Sequence, residues 1–223
     1  MSTTPRTTRL RLFIIEAPSP MDLLQHRGEA PALTSACALI GHEVTSFMAK
    51  SKAELRKLCQ FIADIDSDQD EHHRRGVPLC LHLAAHGNRQ GLGFGKDLVK
   101  WEELFDLLTP LCQMQNYDGD FILIISACEA VKQKLTSHFR TKATKATVRP
   151  PVYLFTTADA APTFPGALVS WVVFYHQLPL VSLTDRDKVK KVLKRVKAAG
   201  ATVLMYSRWD QAKRRYFHYT PRS

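Results

Sequence analysis

Two short segments of this 223-residue chain carry residue types that do chemistry as a pair. LCLHLAAHG ends in His86-Gly87, and FILIISACE ends in Ser126-Ala127-Cys128-Glu129. A thiol is a strong nucleophile only as thiolate, and a neighbouring imidazole takes its proton. The same imidazole then protonates a leaving amine. Gly87 leaves its backbone open, so its N–H and that of Cys128 can face a developing oxyanion. The pattern marks His86 as general base, Cys128 as nucleophile, and the Gly87 and Cys128 amides as an oxyanion hole.

The chain holds its own controls. Ser35-Ala36-Cys37 repeats the tripeptide that precedes Glu129, but within a helical pattern between Leu33 and Leu39. Cys37 is therefore expected in the core and inert. His82 shares strand parity with His86 but lies mid-strand, where a buried, hydrogen-bonded role is expected. His72 and His73 sit beside Asp68, Asp70 and Glu71 in a charged stretch. Adjacent histidines rarely converge on one ion, so a solvated loop is expected there, with no metal and no cofactor.

These residues need a scaffold that brings two strand ends together. Apolar runs at 9–17, 42–48, 77–85, 121–127, 152–157 and 202–207 read as strands. A shorter run at 92–95 and another at 215–219 are minor strand candidates. Helical patterns at 30–40, 51–65, 101–112, 130–139, 166–177 and 185–199 alternate with them. That alternation predicts an α/β fold, with a six-stranded, mostly parallel sheet flanked by helices on both faces. In such a sheet functional groups gather at the carboxyl ends of central strands, where His86 and Cys128 fall. The polar, basic stretch 141–151 reads as a linker between a part spanning 9–140 and a part spanning 152–223, all within one domain.

Composition bounds the rest. The chain is 45% hydrophobic, enough for a sizeable core. No apolar run is long enough for a membrane span, and the N-terminus lacks a secretory pattern. Five scattered cysteines make no disulfide framework and no CxxC pair, which fits a reducing, cytoplasmic setting. The net charge of +10 is concentrated in a helix holding Arg186, Lys188, Lys190, Lys191, Lys194, Arg195 and Lys197, followed by Lys213, Arg214 and Arg215. No zinc finger, helix-turn-helix or aromatic RNA-reading motif accompanies these cations, so a solvated helix face is expected rather than a nucleic-acid site.

LCLHLAAHG and FILIISACE resemble the His-Gly and Ala-Cys strand ends of the caspase-type cysteine peptidases, which include caspases, metacaspases and bacterial CHAT domains. HLAAHG, SACE and the stretch Trp101-Glu102-Glu103-Leu104 are closest to the CHAT form. Pattern-level similarity extends to LLQHRGEAPALTSACALIGHEV, to VYLFTTADAAPTFPGALVSWVVFYHQL and to the segments TVLMYS and YFHYT. The resemblance implies a caspase-like sandwich fold and a cysteine endopeptidase that cuts proteins beside a charged residue through a thioester acyl-enzyme. It also implies His86 as base, Cys128 as nucleophile and Gly87 as oxyanion donor.

Caspases hold aspartate with arginines from two loops. This chain has Arg27 in the first and no arginine in the second, 156–165. Glu16, Asp22 and Asp159 would instead suit Arg or Lys. Caspases are cut between nucleophile and small-subunit strand, an interval that here holds Arg140, Lys142, Lys145 and Arg149. The first strand starts within about ten residues of Met1. Control is therefore expected from an upstream peptidase, a sensor protein or homodimerisation through a last-strand edge near 202–207. A compact bacterial defence or cell-death enzyme is the implied setting. The alternatives are a catalytically silent caspase-fold adaptor and a basic nucleic-acid-binding α/β domain.

Overall fold

The structure is a computed structural model that describes residues 9–67, 77–114, 117–159, 161–199 and 202–219. The first strand, β1 (Arg11–Ala17), leads to a short helix α1 (Pro20–Leu24) and then to α2 (Glu29–Ile40). Next come β2 (Glu43–Met48), α3 (Lys52–Ser67) and β3 (Leu79–Ala85). A hairpin of β4 (Gly91–Phe94) and β5 (Asp97–Lys100) precedes α4 (Leu104–Cys112). The chain continues through β6 (Phe121–Ser126), α5 (Leu135–Ala146), β7 (Tyr153–Thr157), α6 (Phe164–Gln177) and α7 (Arg186–Ala198). It closes with β8 (Leu204–Asp210) and β9 (Arg215–Tyr219).

Among the described residues, seven strands form the main sheet in the order β2-β1-β3-β6-β7-β8-β9. The first five in that order are parallel, β8 is antiparallel to β7, and β9 is antiparallel to β8. The inner strands are apolar on both sides because helices cover both faces. Phe13, Ile15, Leu81, Leu83, Leu123 and Ile125 pack toward one core, with side chains of α3, α4 and α5. Leu12, Ile14, Cys80, Ile122 and Ile124 pack toward the other, with α2, α6 and α7. The period of two along each strand sorts the residues between the two cores. On α7, Val189, Val192, Leu193 and Val196 are buried at helical spacing. The Asp185 side chain accepts from the Asp187 and Lys188 N–H groups at its start. That cap is worth about 1 kcal/mol.

Four expectations need correction. The sheet has seven strands rather than six, because β9 pairs with β8 through five residue pairs. The last-strand edge is therefore β9, and 202–207 lies largely in an inner strand. The linker at 141–151 is not a loop over its first part, since α5 continues to Ala146. TKATKA carries no glycine or proline, so nothing in it stops a helix. The segment after β1 is partly helical: Ser19 caps α1, with Pro20 at its first turn and Asp22 completing a capping box. The stretch with His72 and His73 lies outside the described residues. Among the described residues, no helix is long and apolar enough to cross a membrane.

Candidate active site

Register brings the two motifs together. The last pairs of β3 with β6 include Ala84 opposite Ser126, and His86 and Cys128 each lie two residues farther on. Adjacent strands are about 4.8 Å apart. His86 and Cys128 both line one cleft of about 250 Å³ at the carboxyl ends of β1, β3 and β6. Among the described residues no hydrogen bond joins the two side chains.

Gly87 makes this approach feasible. A Cβ at that position would lie 2.2 Å from the Cys128 carbonyl oxygen, so only glycine lets the two backbones pass. The flanking backbone is anchored by the β4–β5 hairpin. The Gly93 N–H donates to the His86 carbonyl at 2.8 Å, and the Asn88 N–H donates to the Gly91 carbonyl at 3.0 Å. Buried Trp101 donates its indole N–H to the Asn88 carbonyl at 2.9 Å. Among the described residues neither the Gly87 N–H nor the Cys128 N–H is committed to a backbone carbonyl. Glu129, next to the nucleophile, holds a left-handed backbone at φ 63°, a turn of the chain that ends the strand sharply.

His86 has a partner that the sequence argument placed elsewhere. Its Nε2 lies 2.6 Å from Asp22 Oδ2. The same carboxylate oxygen accepts from the Ser19 N–H at 2.8 Å and the Ser19 hydroxyl at 2.6 Å. Burial works against ionisation of Asp22, but the hydrogen bonds from Ser19 and His86 outweigh it and bring the carboxyl down to about 2. An ionised Asp22 fixes the proton on Nε2 and leaves Nδ1 as the basic nitrogen. Asp22 thus fixes the orientation of the His86 imidazole. A capping-box residue could be found in the sequence, but its reach to His86 could not.

Burial raises the Cys128 thiol above its ordinary value, and the Glu129 charge adds to this, against its own backbone N–H. Cys128 therefore rests as a thiol. Cys37 is wholly buried, and burial pushes its thiol up to about 12. Cys59 is likewise pushed up to about 12, mainly by burial.

The floor of the cleft is acidic. Glu16, Asp22 and Glu29 line it with Ser126, while Arg27 is its cation. Arg27 is exposed. Glu16 accepts from the Glu29 N–H at the start of α2. Burial raises the Glu16 carboxyl, against hydrogen bonds from the Glu29 and Ala30 amides. Glu29 was not singled out from sequence, yet it is only 5% exposed and central. It accepts from the Ser126 hydroxyl at 2.7 Å and lies 3.1 Å from His82 Nε2. Ser126 in turn accepts from the Trp171 indole at 2.9 Å, and His82 Nδ1 meets the Tyr175 hydroxyl at 2.8 Å. His82 is fully buried in this network, as its mid-strand position implied. A carboxylate and a histidine inside a core demand such partners.

Other candidates fall outside the cleft. Asp159 is exposed, and its carboxylate accepts from the Val203 N–H at 3.4 Å. It is not among the residues lining the cleft. Arg140, Lys142 and Lys145 lie on α5, where Lys142 pairs with Asp106 at 2.7 Å. Arg149 pairs with Asp120 at 3.1 Å and is followed by Pro150. Peptidases cut exposed, extended chain, so cleavage on α5 would require that helix to unwind.

No protein-family model matches the chain, and no curated protein matches it by sequence. Among solved structures it is similar to caspase-1 from Spodoptera frugiperda, with a TM-score of 0.50 and 15% identity. That match covers 92% of this chain and 90% of the other. The central sheet, the helices on both faces and this end-to-end similarity together give the chain a caspase-like fold.

Proposed function

We propose that the chain is a cysteine endopeptidase of the caspase-like type that cuts protein substrates beside a basic residue. The observation that carries this is one cleft holding His86, Cys128 and the carboxylates of Glu16, Asp22 and Glu29. In this reading His86 Nδ1 takes the thiol proton as Sγ attacks the scissile carbonyl. The Gly87 and Cys128 amides receive the oxyanion. His86 then gives its proton to the leaving amine, and water attacks the thioester by the reverse sequence. Asp22 holds the imidazole through both steps.

Specificity follows from charge. A substrate aspartate would meet buried carboxylates and one exposed guanidinium. An arginine or lysine would find Glu29 already held in place by Ser126 and His82. The chain acts as one domain, with 9–140 and 152–223 as its large- and small-subunit-like parts. Its control comes from a partner, an upstream peptidase or pairing of two copies, in the manner of bacterial CHAT-type defence enzymes.

The test is a peptide-library cleavage profile, with Cys128→Ala and His86→Ala as controls. Cleavage after Arg or Lys that both controls abolish is the expected result. Equal cleavage by the controls overturns the peptidase reading, whereas aspartate preference overturns only the acidic pocket. Glu29→Gln should lower the ratio of Arg over Gln substrates by about tenfold. An unchanged ratio would remove Glu29 from recognition.

A further inference from the structure

A larger groove of about 950 Å³ lies at the other end of the sheet. Its walls come from the start of β7, the end of β8, the β8–β9 turn and the entry to α7, whereas the catalytic cleft sits at the carboxyl ends of the parallel strands. Four cations line it, Arg149, Arg186, Arg208 and Lys213, against two carboxylates, Asp120 and Asp210. Asp120 is taken up by Arg149 at 3.1 Å, and Asp210 accepts from the Lys213 N–H at 2.8 Å.

Aromatic rings hold the cations in place. Arg186 and Lys190 both sit over Tyr219, at 5.1 and 5.2 Å from its centroid. Lys213 and Arg215 sit near Phe217, at 5.4 and 4.8 Å. Arg208 lies 5.8 Å from Tyr153, and its guanidinium donates to the Thr184 carbonyl at 3.0 Å. Asp187 lies 3.9 Å from Arg186 and 3.5 Å from Lys190 and meets part of this charge, and a bound polyanion would meet the rest. Wholly buried Tyr206 stacks between Tyr153 and Tyr219, at 6.2 and 5.2 Å, and backs both rings from the core side.

We propose that this groove binds a nucleoside phosphate, as a short single strand or a mononucleotide. Phosphates meet the fixed cations, and bases meet half-exposed Phe217 and the guanidinium planes. An acidic peptide would use the cations and leave the rings idle.

The experiment uses the full chain carrying Cys128→Ala and reads binding alone, so its outcome is separate from the peptidase reading. Fluorescence anisotropy follows a labelled eight-nucleotide oligoadenylate, with ATP, inorganic tripolyphosphate and heparin as competitors. Arg186→Ala/Arg208→Ala should weaken binding by about tenfold or more, and Phe217→Ala by about fivefold. Lys191→Ala/Lys194→Ala, on the same helix but outside the groove, should stay within about twofold. Circular dichroism confirms that each variant is folded. Competition by ATP identifies the mononucleotide as a sufficient ligand, and its absence identifies the strand. Three results would each overturn the proposal: no binding by the parent, equal losses in the two double variants, or tripolyphosphate and heparin competing as well as the nucleotides.

Discussion

The chain contains the tripeptide Ser-Ala-Cys twice, and the two copies live under opposite conditions. Ser35-Ala36-Cys37 is on α2, with Cys37 wholly buried and its thiol pushed up to about 12. Ser126-Ala127-Cys128 ends β6 and opens into the cleft. The same contrast recurs four residues apart on β3. His82 is locked between Glu29 and Tyr175, whereas His86 stands at the strand end against Asp22. The difference lies in position: strand ends are where side chains leave the core and meet neighbours from other strands, and Cys37 and His82 sit inside elements. The buried copies, Cys37 within α2 and His82 within β3, serve folding.

The comparison breaks most sharply at the cysteines. Cys128→Ala should remove peptide cleavage by about 10⁴-fold or more, read with an arginyl fluorogenic peptide. If Cys37→Ala did the same with the fold intact, the contrast between the copies would be wrong. Asp22→Asn sharpens the histidine side. It leaves the geometry near its present form but takes away the charge that sets the tautomer. A drop in kcat of roughly 10²–10³-fold is expected, less than in a fully buried triad.

Acid stability gives the same substitution a second readout. The folded Asp22 carboxyl lies at about 2, below its ordinary 3.8. A depressed carboxyl stabilises the fold above its unfolded value and loses that effect as pH falls toward the folded one. The stability difference between parent and Asp22→Asn should therefore be full above pH 3.8 and vanish toward about pH 2. Urea midpoints across that range measure it. A difference independent of pH would deny that the Ser19 and His86 bonds hold the Asp22 carboxyl down.

His82→Ala acts on folding. It opens a cavity and leaves Glu29 and Tyr175 short of partners, at a cost of about 3 kcal/mol, or a melting temperature about 6–12 °C lower. Calorimetry reads this, and an unchanged melting temperature would undo the structural role given to His82. The smallest effect is at Cys37. Removing one buried sulfur costs about 1 kcal/mol and leaves cleavage as it was.

Much of this was legible in the chain because short-range rules decided it. Apolar runs bounded by turns marked β1, β3, β6 and β7 within a few residues, since a strand buried on both faces admits little else. Thr202 to Ser207 found the first half of β8 but not its end. Polar Arg208 and Asp210 continue the strand, paired with Tyr153 and Arg215. The stretch TKATKA looked like a linker because it is polar and basic. It is helical because Phe139 and Ala143 pack into the core and carry the rest of the turn with them.

The sequence by itself determined the cysteine and histidine at two strand ends, the glycine between them and the alternation that makes the strands neighbours. These are local patterns, and parallel pairing leaves few ways to satisfy them. Only the tertiary structure decided what surrounds the pair. Asp22 could be read as a cap or a pocket wall, and it became the partner of His86 because α1 folds over the end of β3. Glu29 carried no signal, since a glutamate opening a helix is ordinary. Its role arises because β3 and β6 present His82 and Ser126 to it from positions 53 and 97 residues away. Contacts of that separation depend on how sheet and helices close on one another, which no window of sequence contains.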